Sequence, residues 1–350
     1  MNKITKIALL VLVPFLLTGC FIKVSEAPIG SGGGIFASED NGTTWGNISN
    51  LLSVEGQVNF QGAEIIKLLA DPNNPAILYA GSIAQGIFYS VDSGRSWQQT
   101  LSEVDYIYDL AVSPDDSCTI FAAAGNVLYR STDCARSWQS TLTESEDNAT
   151  LVGVTIDPND ANLVLAISSV GTLYQSEDKG ESWQVNHWFD QPLAGLYINP
   201  QAGRIIYVAS KQNGVWRSLD RGANWINITS ELAKQYKGVN NFHQLIINHN
   251  NAAQIYLVSD YGILVSNNGG DAWRSLSLLT PPNSVYIYAM TISPQDDDRL
   301  FYNTQDTFYT SNDGGDNWTT KRLPTTRTFS TLLASSQSEN LLYAGTRKVK

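Results

Sequence analysis

Histidine, methionine and cysteine are scarce in this chain of 350 residues, at three, two and three. His187, His243 and His249 stand at no ligand spacing, so no metal site is expected, and no EF-hand-type loop is present. Positive charge is short as well: 22 Lys and Arg face 33 Asp and Glu, a formal net charge of −11. That balance argues against nucleic acid as a partner, because such affinity comes mostly from neutralising phosphates with Lys and Arg. No apolar run approaches the length of a membrane span, and sustained helical periodicity is missing. No glycine loop follows a strand and opens a helix, so no phosphate-cradling site and no cofactor are expected. Gly, Ser, Asn, Asp and aromatic residues are plentiful between short apolar runs, which is the profile of an all-β chain.

The chain opens with Lys3 and Lys6, followed by an apolar run of 11 residues from Ile7 to Leu17. A charged start before a short apolar core is the pattern of a secretory signal. Leu17-Thr18-Gly19-Cys20 comes next and resembles the lipobox of bacterial lipoproteins. The resemblance implies cleavage before Cys20 and acylation of its sulfur and of the new amino terminus. Several acyl chains anchor stably where one is marginal. Residues 1–19 are therefore read as a lipoprotein signal peptide. Residues 20–34 are read as the lipidated cysteine and a flexible tether rich in Gly, Ser and Pro, and residues 35–350 as the folded body. The expected location is a bacterial cell envelope, lipid-anchored to a membrane and facing the periplasm or the exterior.

One motif recurs seven times. Its first copy reads Ser38-Glu39-Asp40-Asn41-Gly42-Thr43-Thr44-Trp45. The others place their acidic and aromatic members at Asp92 and Trp97, Asp133 and Trp138, Asp178 and Trp183, Asp220 and Trp225, Asn268 and Trp273, and Asp313 and Trp318. The tryptophans are 52, 41, 45, 42, 48 and 45 residues apart, a period that signals a propeller or another radial array. The Asp carboxylate can accept backbone N–H groups and fix a turn, Gly supplies a positive φ, and Trp buries a large face. Ala135 stands where the third copy should have Gly, which puts that turn's backbone in question. Asn268 keeps an acceptor oxygen, so the sixth turn should survive. The pattern Ser-x-Asp-x-Gly-x-x-Trp resembles the Asp box, or BNR repeat.

A second motif precedes each box. Asp71-Pro72 leads to Leu78-Tyr79-Ala80-Gly81, Asp157-Pro158 leads to Val164-Leu165-Ala166, and the other copies follow suit. Each unit thus reads as strand A, an Asp-Pro turn, strand B, a short loop, strand C, the box and strand D. The chain begins with a C strand at Ile35–Ser38 and ends with A and B strands at Thr328–Ala334 and Leu341–Gly345. Six units are whole and the two ends make the seventh. The expected fold is an all-β, seven-bladed β-propeller of four-stranded antiparallel blades, closed by one blade shared between the termini. Closure leaves no open sheet edge. Cys118 and Cys134 face each other across the turn at Gly125-Asn126, and in an exported protein a disulfide between them is expected.

Boxes and Asp-Pro turns should share one rim, leaving the B–C and D–A loops for function. Aligning the A strands places Lys67, Asp109, Gly153, Gly195, Gln244, Ala289 and Thr331 in a polar or small column expected to face the central channel. The candidate binding face is Tyr106, Tyr108, Trp188, Phe242, His243, Tyr286 and Tyr288, flanked by Glu64, Asp109, Asp190 and Arg327. Arg327 is expected to be the sole arginine there. Such a surface suits a protein, peptide or glycan partner.

The resemblance covers nearly all of residues 33–346. It takes in sortilin receptor propellers and photosystem II assembly factors, which implies a non-catalytic binding or scaffold propeller, with a place in membrane-complex assembly. It also takes in sialidases and xyloglucanases. The alternative is therefore an extracellular glycoside hydrolase, with a carboxylate pair such as Asp105 or Asp109 with Asp190 doing acid/base work. A sialidase would need three arginines for its substrate's carboxylate, and xyloglucanases join two propellers where this chain has one. The box carboxylates are needed for turns and are not expected to be catalytic.

Overall fold

Apolar content falls from the middle of each repeat to its end, and burial follows. B strands such as Ile120–Ala124, Ile206–Ser210 and Ile255–Ser259 are buried at every residue. They read as continuous apolar runs because both their faces are covered. D strands such as Thr319–Arg322 are polar and exposed throughout. In the computed structural model, which describes residues 30, 32–52 and 58–349, these strands form seven four-stranded antiparallel sheets. Blades one to six have their innermost strands at Glu64–Ala70, Ile107–Val112, Leu151–Asp157, Leu193–Ile198, Phe242–Ile247 and Ala289–Ile292.

Blade seven is built from both ends of the chain. Thr328–Ala334 and Leu342–Arg347 supply strands A and B, and Ile35–Ser38 and Gly46–Asn47 supply C and D. Ile35 pairs with Gly345 and Ser38 with Leu342, so the expected ring closure is present. The core is divided into seven clusters. They fill seams between adjacent blades: one packs Tyr256 and Val258 of blade five against Met290, Tyr302 and Trp318 of blade six.

The repeated turns share one geometry. In the first, Ser38 Oγ accepts the Gly42 N–H at 2.8 Å, and Asp40 accepts the Thr44 N–H at 2.8 Å and the Thr44 hydroxyl at 2.6 Å. Asn268 has a single acceptor oxygen, which takes the Ala272 N–H at 2.8 Å. Ala272 has no side-chain donor, so the missing second oxygen has no orphan opposite it. The residue after each Asp or Asn donates its N–H to the A–B loop of its own blade, for example Arg221 to Arg204 O at 2.9 Å and Gly269 to Ala253 O at 2.7 Å. Boxes and A–B turns therefore share one rim. In blade two this link is Cys134 N–H to Cys118 O at 3.3 Å, and the two sulfurs are bonded. Ala135 adopts φ +66° and donates its N–H to Ser131 Oγ at 3.0 Å. The third turn keeps its shape without glycine.

Residues 1–19 and Cys20 lie outside the described residues. The end of the segment read as a flexible tether is docked: the Gly30 N–H donates to Pro324 O at 3.2 Å and the Gly33 N–H to Gln61 O at 2.7 Å. The loops after blades six and seven hold it there, so the fitted body starts upstream of residue 35.

Candidate functional site at the channel mouth

Six innermost strands carry a register shift near their outer end, where one extra residue opposes the B strand. The extra residues are Ile66, Tyr108, Val152, Ala194, His243 and Ser330. In blade six, Tyr288 donates its N–H to Asn303 O, the residue that Ala289 also pairs with, and occupies the same place. A bulge breaks the two-residue alternation and re-aims a side chain. All seven bulge residues line the central channel, a cavity of about 770 Å³. So do Lys67, Asp109, Gly195, Gln244, Ala289 and Thr331 from the column expected there. The expectation of one channel-facing column is corrected: the bulge column joins it, because alternation fails at the bulge, and the column two residues further along (Leu69, Ala111, Thr155, Tyr197, Ile246, Thr291 and Leu333) continues the wall.

The bulges of blades two, five and six make the mouth aromatic. Tyr106 and Tyr108 lie 4.2 Å apart by ring centroid, Tyr286 and Tyr288 4.7 Å, and His243 stacks on Tyr286 at 4.0 Å. Arg347 at the end of the last B strand sits over the Tyr288 ring at 5.6 Å, a cation–π arrangement. Burial raises the phenol pKa of Tyr106 and of Tyr286, and the Arg347 charge works against that rise in both. Glu64 adds to the rise at Tyr106. His243 Nε2 lies 2.8 Å from Asp260 Oδ1, and Asn241 donates to the other oxygen at 2.6 Å. Burial lowers the His243 pKa in spite of that carboxylate.

Asp109 is fully engaged. Lys67 Nζ lies 2.6 Å from its Oδ1, the Leu110 N–H donates to Oδ1 at 2.9 Å, and the Val154 N–H donates to Oδ2 at 3.1 Å. It ties blades one, two and three together at the channel wall.

Other expected members fall elsewhere. Phe242 is 7% exposed and packs in the seam between blades four and five; it is a core residue, since the bulge after it turns His243 and not Phe242 into the channel. Trp188 is 53% exposed but ends the outermost strand of blade three, with Asp190 in the loop beyond. Neither lines the channel. Arg327 Nη1 donates to Gly62 O at 3.2 Å and Ala63 O at 3.1 Å, beneath Gly33. It fastens loops, and Arg347 is a further arginine on this face. Aligning Leu342-Tyr343-Ala344-Gly345-Thr346-Arg347 with Leu78-Tyr79-Ala80-Gly81-Ser82-Ile83 would have found it, as a charge in a column that is apolar in blade one. Among the described residues no group of His, Cys, Asp and Glu is placed to hold a metal.

Comparison with known proteins agrees with this architecture. A family model described as Sortilin-Vps10 (sortilin, neurotensin receptor 3) matches residues 213–349. An oligoxyloglucan-reducing end-specific xyloglucanase of Emericella nidulans is 33% identical over 86 residues, which is 24% of this chain and 10% of that protein. The structure of a GH74 xyloglucanase from Xanthomonas campestris superposes with a TM-score of 0.68 at 18% identity, covering 81% of this chain and 51% of the other. YCF48 bound to D1 peptide superposes with a TM-score of 0.62 at 14% identity, covering 82% and 93%. The chain thus spans about half of the xyloglucanase structure and nearly all of the YCF48 propeller. At these identities the superpositions show the fold.

Proposed function

We propose that this chain is an envelope-anchored, non-catalytic binding propeller that receives a peptide or protein segment at its channel mouth. The observation that carries the reading is the mouth itself: Tyr108, His243 and Tyr288 line a cavity of about 770 Å³, with Tyr106, Tyr286 and Arg347 packed against them. Aromatic faces beside a few fixed polar groups bind chain segments by burying area and orienting it. The peptide named with YCF48, whose propeller matches nearly end to end, supports the same class of partner. The Cys20 lipobox supplies the anchor.

A glycoside hydrolase is favoured by the similarity to xyloglucanases. It would need a free acid and base flanking a sugar. Asp109 is held by Lys67 and two backbone N–H groups, and Asp105 and Asp190 lie in loops, outside the channel lining. The test is a crosslinking pull-down from intact envelopes with the wild type and Tyr108→Ala/Tyr288→Ala. The expected result is a discrete set of partners captured by the wild type and lost in the double variant. Hydrolysis of xyloglucan oligosaccharides by the wild type, abolished by Asp109→Asn, would overturn the reading.

A further inference from the structure

We propose that the channel-mouth face lies against the lipid bilayer, so that a ligand reaches the channel from the membrane side. This rests on the anchoring part of the function proposed above. The chain joins the propeller on this face: Gly30 pairs alongside Thr325, and the Thr325 hydroxyl donates to Gly32 O at 2.6 Å. Both contacts are in the loop between blades six and seven, on the side of the B–C and D–A loops. Cys20 is ten residues upstream of Gly30. At about 3.6 Å per residue such a stretch spans at most about 36 Å, so the attachment point on the mouth rim stays within that distance of the acylated Cys20.

The same face carries apolar side chains suited to a lipid surface. Trp188 at the end of the D strand of blade three is 53% exposed, Leu279 and Tyr286 after blade five are 59% and 45% exposed, and Val349 after strand B of blade seven is 37% exposed. Each follows or ends a B or D strand, so all four lie on the face of the B–C and D–A loops. Trp and Tyr favour the membrane interface, where an apolar ring and a polar tip are both satisfied. The opposite rim also exposes Val91 and Leu219, at 57% and 46%. Those two sit in box turns, on the rim away from the loops that hold Gly30, and serve as the control.

The experiment uses the full acylated chain in vesicles of phosphatidylethanolamine and phosphatidylglycerol with brominated acyl chains. A bimane label is placed at Leu279→Cys or, on the other rim, at Leu219→Cys; both positions are exposed, so the fold should be kept. The expected result is several-fold stronger bromine quenching at position 279 than at 219. Equal quenching, or stronger quenching at 219, in protein that carries its acyl groups by mass and floats with vesicles, overturns the orientation and leaves the anchor standing. Protein that is not acylated and does not float overturns both. Shielding of position 279 only in native vesicles that contain membrane proteins makes the occupant a protein and overturns the bilayer contact.

Discussion

The seams between blades set a test that distinguishes two glycine positions related by the repeat. Gly42, in the box of blade seven, has φ +82°, and a Cβ there would lie 2.1 Å from Cε1 of Phe308. Phe308 is 1% exposed and held between Trp45, Phe301 and Phe329, with centroids at 5.3, 6.0 and 6.4 Å. The ring has nowhere to go. Gly42→Ala should therefore lose about 1 kcal/mol to the left-handed backbone and about 1–3 kcal/mol to overpacking, in all roughly 2–4 kcal/mol. At about 2 cal/mol/K per residue the melting point should fall by roughly 3–6 °C. The reverse change in blade two should behave differently. Ala135 has φ +66°, and its methyl is 1% exposed within the seam cluster of Tyr79, Ile87 and Ile120. On the facing blade, the small Thr100 donates its hydroxyl to Ala135 O at 2.7 Å. Ala135→Gly relieves about 1 kcal/mol of backbone cost and gives up about 0.8 kcal/mol of buried methyl. The two offset, so stability should stay within about 1 kcal/mol of the wild type. Denaturant unfolding followed by tryptophan fluorescence measures both. If Gly42→Ala melts like the wild type, or Ala135→Gly loses as much as Gly42→Ala is expected to lose, the seam argument is wrong.

Three further outcomes are expected. Hydrogen bonds from the side chain and backbone of Ser137 and Ser182 hold Asp133 and Asp178 at about 2. Burial alone would raise Asp40 and Asp92, but bonds from Thr44 and Ser96 bring them below the usual range as well. A carboxylate whose folded pKa is depressed stabilises fully above its unfolded value and loses that stability as pH falls through the folded one. Midpoints in urea should therefore hold down to about pH 5 and drop steeply between about 4 and 2, and a titration flat through that window would contradict this account. The Cys118–Cys134 bridge closes a loop of sequence separation 16, so replacing both cysteines with serine should cost about 3 kcal/mol by chain entropy, while circular dichroism at 25 °C stays native. Lys67→Met leaves Asp109 without its cation at the channel wall and should destabilise by about 1–3 kcal/mol; the double variant with Asp109→Asn should recover part of that loss, measured by a double-mutant cycle.

Much of the ring was legible because its grammar is local. The Asp, Gly and Trp of each box act within eight residues, and an Asp-Pro turn stops one strand and starts the next. Even the shared blade followed from counting strands at the two ends. The channel wall was harder to read, since a bulge has no residue signature here. Ile66, Tyr108, Val152, Ala194, His243, Tyr288 and Ser330 have nothing in common but their place. The polarity of their column put Lys67 and Asp109 into the channel correctly, while Tyr108, His243 and Tyr288 were expected on the binding face and not on the channel wall itself. Phe242 was misplaced for the same reason. The sequence shows an aromatic beside a histidine, and only the register shift between Phe242 and Gln244 decides which of them faces the core.

The division between seam and bulge also explains how a binding site can vary on this scaffold. A box residue such as Gly42 or Asp133 is fixed by partners in its own turn and in the blade beside it, so changing it costs stability. A bulge residue is the member of its strand with no cross-strand partner. It already differs between blades from Ala194 to Tyr288, while the strands that carry it keep the same pairing. Side chains at these seven places are therefore free to be chosen for what passes through the channel. Around the ring, Val152 and Ala194 of blades three and four lie between Tyr108 of blade two and His243 and Tyr288 of blades five and six, so the small residues leave a gap flanked by aromatic rings. A ligand chain entering it should lay a bulky group in the gap at blades three and four, between the rings of Tyr108 and His243. Enlarging Ala194 to Trp should then block binding as effectively as removing the tyrosines, while leaving thermal stability within about 1 kcal/mol of the wild type, because the side chain projects into open channel.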